Sequence, residues 1–165
     1  MDTSGTTMSD TSDNSNDGTS ANSPSFANDQ QGNPNRAMTF NGTSDKVTIG
    51  DTGIDVKTVS FWINADDVTT RSIIDMDGGT RSIEIDGSSD ITATGFTSPI
   101  IYINGSSGDP AVVADVWEHV VVTTATAVDA SSLVIGNEAS WFDGDICNVR
   151  IYDDVLTPAE ALLLY

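Results

Sequence analysis

The feature that most constrains the fold of this 165-residue chain is a series of short apolar–polar alternations that begins at Ala37. Runs rich in Val, Ile, Thr and aromatic residues are separated by Gly, Asn and Asp, which tight turns favour. In residues 58–63, Val59, Phe61 and Ile63 occupy every second position. Such alternation places one set of side chains on each face of a strand. The pattern predicts an all-β fold of two antiparallel sheets packed as a sandwich.

The predicted strands are residues 37–40, 46–49, 58–63, 72–75, 82–86, 100–103, 118–124, 132–135 and 146–152. One short helix is predicted at the C-terminus. Thr157 can cap it, Pro158 fits the first helical position, and Glu160 can complete a capping box.

Residues 1–36 lack the alternating pattern. Met8 and Phe26 are their only large apolar side chains after residue 1, and no Lys or Arg precedes Arg36. Such a composition buries too little surface to offset the entropy of ordering. We therefore predict a low-complexity acidic N-terminal arm at residues 1–36 and a β-sandwich domain at residues 37–165. An ordered arm would need a surface to hold it, which predicts a homo-oligomer or a complex with capsid or other structural proteins.

The charge balance is strongly acidic. The chain has 25 acidic and 6 basic residues and a net charge of −19. Molar salt shortens the screening length to about 3 Å and removes most of the resulting self-repulsion. This balance favours a chain adapted to high salt, with an ordinary acidic surface or a calcium binder as the alternative. Because no Lys or Arg residues cluster, the sequence predicts no nucleic-acid partner.

Neither a membrane span nor an export signal is visible. The chain has no run of 18 or more apolar residues, and its N-terminus has no basic region followed by an apolar one. The sequence thus predicts no membrane insertion, and a chain that stays inside the cell or leaves as part of a larger assembly. The single cysteine, Cys147, excludes an intrachain disulfide and a cysteine-rich zinc site.

Several stretches resemble the laminin-G-like (LamG) branch of the concanavalin A-like lectin and glucanase superfamily. Residues 38–49 are similar to its first hairpin, and residues 59–63 to its strand with a core Trp. Residues 116–123 resemble its Trp-x-His-Val strand, and residues 135–160 its final hairpin and short helix. The resemblance covers residues 37–165. It implies two antiparallel sheets in a jelly-roll arrangement.

The catalytic acids of this superfamily's glucanases are only partly present in this chain. Those enzymes carry Glu-x-Asp-x-x-Glu on one strand; Glu84 and Asp86 match the first half, but Ser89 stands at the second Glu. Glycoside hydrolysis needs two carboxyl groups, so we predict that the chain is not an enzyme and that Glu84 is an outward polar residue. His119, the only histidine, has no neighbouring nucleophile or metal-ligand spacing and is assigned a structural, hydrogen-bonded role.

Cys147 also bears on whether the chain keeps the calcium site that the resemblance implies. In many relatives an Asp stands at this position and can help bind calcium, whereas a thiol is a poor ligand for this cation. Cys147 is instead expected to be a small buried side chain that shares a face with Val149 and Ile151.

Two Asp pairs are the remaining calcium candidates, although the complete twelve-residue calcium loop is absent. They are Asp75 with Asp77, before two glycines, and Asp143 with Asp145. No cofactor is required by the sequence, and calcium is the only candidate.

Four aromatic positions bear on ligand binding. Trp141 and Phe142 precede the last hairpin, and we predict that they form an exposed pair able to contact a sugar or a protein. Trp62, Trp117 and Trp141 could each be a sugar-stacking platform, but alternation predicts that at least some of the three belong to the core.

Three functional hypotheses follow. The first is a structural or attachment module on a virion surface, such as a capsid decoration, turret or fibre protein of a virus with a halophilic host, docked through residues 1–36. A cytoplasmic or cell-surface assembly of a halophile is the alternative location. The second is a lectin-like module with a glycan ligand held by exposed aromatics and Asp or Asn. The third, a glucanase-type hydrolase, is disfavoured by the missing carboxylate.

Overall fold

The chain forms two antiparallel sheets and one short helix. A computed structural model describes residues 6–22 and 25–165. The elements are β1 (Thr7–Met8), β2 (Gly18–Ser20), β3 (Ser25–Ala27), β4 (Ala37–Asn41), β5 (Val47–Gly50), β6 (Asp55–Ala65), β7 (Arg71–Asp75), β8 (Ser82–Ile85), β9 (Ile91–Thr94), β10 (Ile100–Ile103), β11 (Ser106–Ser107), β12 (Trp117–Asp129), β13 (Leu133–Ile135), β14 (Asp143–Tyr152) and α1 (Pro158–Leu164).

Each sheet has seven strands. Sheet A has the order β1-β2-β5-β13-β7-β8-β9, and sheet B the order β11-β10-β12-β6-β14-β4-β3. The predicted all-β sandwich with a short C-terminal helix is confirmed. β6 and β12, the central pair of sheet B, extend well beyond the predicted residues 58–63 and 118–124.

Alternation in the central strands fills the space between the sheets. Val59, Phe61 and Ile63 of β6 are at most 1% exposed and belong to the main core, with Val120 and Val122 of β12 beside them. Full burial of one such side chain stabilises a fold by about 1.5–3 kcal/mol. The hydrophobic pattern therefore fixes which face of each strand points inward.

The described part of the acidic arm adds strands to both sheets. β2 pairs with β5 in sheet A, and β3 pairs with β4 in sheet B. Met8 and Phe26 pack against the main core. Strands on both sides of residue 36 thus share the same two sheets, and the surface that holds the described arm is the chain's own sandwich. Residues 1–5 and 23–24 of the predicted arm lie outside the described residues.

The C-terminal helix begins as its sequence predicts. Glu160 Oε2 accepts a hydrogen bond from Thr157 N at 2.8 Å, and Thr157 Oγ1 accepts one from Glu160 N at 3.3 Å. Ala161 is buried against Tyr102 and Val121 on the outer face of sheet B. In the described ranges, no helix has the length and apolar character needed to span a bilayer.

A bulge makes β14 change face, and this corrects one expectation. Cys147 lies opposite Trp62 in a cluster on the outer face, whereas Val149 and Ile151 pack against the main core. The register shifts between Cys147 and Arg150. An extra residue puts the following side chains out of phase with the preceding ones. Cys147 is buried as predicted, but its expected shared face with Val149 and Ile151 is wrong.

Candidate functional site

The outer face of sheet B carries a small polar pocket of about 170 Å³. The loop between β3 and β4 flanks it on one side, and the end of α1 flanks it on another. We call it the outer-face pocket, and its described lining is Gln30, Gln31, Ser60, Trp62, His119, Asn148, Arg150, Leu164 and Tyr165.

Strand alternation explains the floor of the pocket. Ser60 and Trp62 alternate with the core side chains of β6, so they point to the opposite face. His119 of β12 lies directly opposite Trp62 in the strand register. The same pattern that predicts a buried face of β6 therefore assigns these side chains to the outer one.

His119 is an uncharged hydrogen-bonding group in this floor. Its side chain is buried, and its Nε2 lies 2.9 Å from Ser60 Oγ. Burial, with a smaller contribution from the positive charge of Arg150, lowers the pKa of His119 from 6.5 to about 4. His119 Nδ1 has no hydrogen-bond partner among the described residues. The expected local hydrogen bonding is therefore found at one ring nitrogen only.

Three neighbouring aromatic rings contribute to the pocket. The rings of Trp62 and His119 are 5.1 Å apart, and the ring of Tyr165 lies 5.6 Å from that of Trp62 with an interplanar angle of 25°. Trp62 is 9% exposed, whereas Tyr165 is 58% exposed. Tyr165 thus lines the pocket with a largely exposed side chain that stacks on Trp62, while most of the surface open to the pocket is polar.

The bulge of β14 supplies the charged wall. Asn148 has a φ of 52°, a left-handed conformation in which Asn is several-fold enriched over most other residues. Arg150 follows at the end of the register shift. Both side chains are exposed, and Arg150 forms no ion pair with another described residue. Their donor groups are therefore available to a ligand.

The opposite wall is the loop between β3 and β4, and contacts within the arm and with sheet B hold it in place. Asp29 Oδ1 accepts hydrogen bonds from the backbone N–H groups of Gln31 and Asn33, each at 2.9 Å. Gln30 Oε1 lies 3.3 Å from Cys147 Sγ. Burial raises the pKa of the Cys147 thiol to about 11, so the thiol keeps its proton and can donate to Gln30.

A larger cleft of about 1060 Å³ lies between the two sheets beside the arm. Core side chains such as Phe40 and Val47 line it, together with polar residues of the arm. The carboxylate of one of these, Asp10, already accepts hydrogen bonds from the backbone N–H groups of Ser12 and Asn16. The arm's own turn therefore occupies this acid.

The carboxylates of Asp75 and Asp77 accept the hydrogen bonds that hold the turn after β7. Asp75 Oδ1 accepts hydrogen bonds from the backbone N–H groups of Asp77, Gly78 and Gly79 at 3.2, 3.1 and 2.9 Å. Asp77 Oδ2 pairs with the Arg81 guanidinium at 2.6 Å. A calcium ion would have to share these oxygens with the turn.

Asp143 and Asp145 lie on β14 near Asp66. Burial raises the pKa of Asp145, whose Oδ1 accepts a 2.7 Å hydrogen bond from Thr39 Oγ1. Burial and the charges of Asp143 and Asp145 raise the pKa of Asp66. In residues 6–22 and 25–165, no three or more His, Cys, Asp or Glu side chains are grouped so that they could hold a metal ion. In the described residues, neither of the two Asp pairs predicted to bind calcium therefore has a third His, Cys, Asp or Glu side chain placed to bind the same ion.

The structure separates the two predicted aromatic ligand residues. Trp141 is half-buried, but Phe142 is fully buried and packs edge-to-face against Phe40 with ring centroids 6.0 Å apart. The prediction that Phe142 is exposed is wrong because Phe142 N bonds to Gly136 O and brings the ring into the main core.

The partial glucanase motif forms local contacts. Glu84 is half-buried and accepts a hydrogen bond from Ser82 Oγ. Asp86 Oδ1 accepts hydrogen bonds from the backbone N–H groups of Ser88 and Asp90 in the following turn. These contacts assign Asp86 to the turn after β8.

Sequence analysis missed most of the outer-face pocket. Ser60, Asn148, Arg150 and Tyr165 come from separate parts of the chain, and the sheet register and the bulge bring them together. One signal was present: Asn148 interrupts an otherwise regular strand with a residue that tolerates positive φ.

Two solved structures are similar to this chain. Domain 4 of AbnA, a GH43 extracellular arabinanase from Geobacillus stearothermophilus in complex with arabinotriose, has a TM-score of 0.61 and 18% identity over 87% of this chain and 82% of that one. A mutant of HCR/D has a TM-score of 0.53 and 12% identity over 96% of this chain and 49% of that one. No family model and no curated protein sequence matches the chain. At these identities, the chain shares a β-sandwich fold with both proteins.

Proposed function

We propose that this protein is a carbohydrate-binding module whose ligand occupies the outer-face pocket. The observation that carries the proposal is the combination of the exposed Tyr165 ring with the unpaired side chains of Asn148 and Arg150. Binding sites pair apolar or aromatic surface with a few polar groups that fix the ligand's orientation. Sugars need both, because their rings have apolar faces and hydroxyl edges.

The size of the pocket suits one sugar ring. Its volume is about 170 Å³, and a cavity of about 150 Å³ is enough to bind benzene. A longer oligosaccharide would place one unit in the pocket and the remaining units along the exposed surface beside Tyr165.

The arabinanase domain supports a glycan as the ligand class. That protein was solved with arabinotriose and shares the β-sandwich fold. Because a fold does not fix a ligand, the residues named here carry the proposal, and the sugar has to be found by experiment.

Calorimetric titration with neutral and acidic oligosaccharides, arabinotriose included, tests the proposal. We expect Tyr165→Ala to weaken binding about twofold to tenfold, because an aromatic stacking contact is worth about 0.5–1.5 kcal/mol. Leu163→Ala is the matched control, since Leu163 lies on the same helix, is 84% exposed and does not line the pocket. Absence of binding across the panel, or equal losses in both variants, would overturn the proposal.

The virion-surface role stays a prediction based on charge and arm composition. It is compatible with glycan binding, because an attachment protein can use a sugar as its receptor. It requires symmetric multimers, so a monomeric mass measured by light scattering at high salt would argue against it.

A further inference from the structure

We infer that the outer-face pocket selects a sugar that carries a carboxylate, and that Arg150 binds this group. The inference rests on the proposed carbohydrate-binding function and names the ligand's chemical class. It depends on charge, on the balance of donors and acceptors in the pocket, and on the state of His119.

The charge of the pocket is opposite to that of the chain. Among 6 basic and 25 acidic residues, Arg150 lines the pocket without a salt-bridge partner in the described ranges. Arg71 and Arg81, by contrast, pair with Asp67 and Asp77. Arg150 therefore keeps its guanidinium free of ion pairs with the described carboxylates. Its planar guanidinium matches a carboxylate through two parallel hydrogen bonds.

The described lining of the pocket has no acidic side chain. No Asp or Glu is among the described residues that line it, although the chain has 25 of them. Arg150 is a pure donor, and the Asn148 amide adds two further N–H donors. The one charged side chain of the described lining is thus positive, which favours a ligand that brings a negative charge, as a carboxylate does.

Ser60 and His119, in the floor of the pocket, can supply a hydrogen-bond donor without adding a second positive charge. The low pKa of about 4 keeps His119 neutral at neutral pH. When Nε2 carries the hydrogen, it can donate to Ser60 Oγ at 2.9 Å and leave the Ser60 hydroxyl hydrogen free for a ligand. Arg150 is then the sole positive charge in the described lining.

The test compares acidic oligosaccharides with their own neutral methyl esters. Trigalacturonic acid, a hyaluronan tetrasaccharide and sialyllactose serve as probes in calorimetric titrations of the full chain. Titrations are run in about 1 M NaCl, where a screening length of about 3 Å removes the long-range repulsion of the acidic surface. We expect at least one acid to bind about tenfold or more tightly than its ester, because hydrogen bonds to charged groups contribute about 1.5–3 kcal/mol.

Arg150→Gln should abolish the preference for the acid over its ester. Arg36→Gln is the matched control, because Arg36 also has no salt bridge in the described ranges but lines the inter-sheet cleft and not the outer-face pocket. Retention of the preference in Arg150→Gln, or its loss in Arg36→Gln, would overturn the role of Arg150. Equal binding of acids and esters would overturn the inference and leave the proposed function standing. Failure of every sugar to bind would overturn both.

Discussion

The His119 imidazole lies beside the rings of Trp62 and Tyr165, and burial is the main cause of its lowered pKa. The pKa of about 4 in the fold lies below the value of 6.5 that the unfolded chain would have. Between these two pH values, the unfolded chain binds a proton that the folded chain does not. Acid therefore favours unfolding through this one group.

We predict that His119→Gln removes this part of the pH dependence. Wild-type stability, relative to the variant, should fall by about 3 kcal/mol from pH 7 to pH 4. Urea unfolding of both proteins at several pH values measures the difference. Glutamine can still bond to Ser60 Oγ, and the carboxylate titrations common to both proteins cancel. Parallel stability curves would contradict the burial of a neutral histidine.

At this scale the sequence predicts some side chains better than others. The alternation around Phe61 correctly gives the core face of β6, and Trp62 is buried as expected. Its burial comes from coverage of the outer face, which alternation alone does not reveal. The prediction for Phe142 is wrong because its position depends on a backbone hydrogen bond to Gly136, across a loop that alternation does not describe.

At the scale of elements, β14 joins the core to the pocket, and its first half is tightly constrained. Gly144 has a φ of 129°, and a Cβ at this position would lie 2.2 Å from Asn64 O and 2.8 Å from Ala65 Cα. Both atoms belong to the backbone of the neighbouring β6. Neither can move without disturbing the sheet.

Gly144→Ala should therefore destabilise the fold by about 3 kcal/mol, since strained φ and overpacking each cost about 1–3 kcal/mol. The free energy of unfolding from urea titration measures this cost. Gly53→Ala is the matched control, because Gly53 also has a positive φ of 63° but open space around its Cβ position. It should cost only about 1–2 kcal/mol. Equal costs would show that contact with β6 is unimportant.

Sequence predicts regular elements better than their interruptions. The predicted strands and the Thr157 cap follow from local patterns, and the structure contains them. The bulge after Cys147 does not follow from a local pattern, because a shift of one residue in register depends on how β14 pairs with β6. The strands of the arm also escape prediction, since segments such as β2 are polar and form through pairing with β5.

At the scale of the whole molecule, surface charge opposes the compact state. The net charge is −19 and the isoelectric point is about 4.1. The screening length is about 10 Å at 0.1 M salt and about 3 Å at 1 M. Repulsion between surface carboxylates is therefore strong in dilute buffer and short-ranged in brine.

We predict that the melting temperature rises steadily as NaCl increases from 0.1 to 2 M at pH 7. Thermal unfolding followed by circular dichroism measures this effect. Near pH 4.1, where the net charge approaches zero, the same salt increase should produce a much smaller rise. A similar rise at both pH values would assign the effect to something other than charge screening.

The position of Tyr165 has a practical consequence. Because its ring forms a wall of the pocket, any peptide joined after it begins at the mouth of the site. A purification tag placed there would compete with the proposed saccharide ligand for the same space. Under the proposed function, an enzyme fused at that point would be held next to the bound glycan.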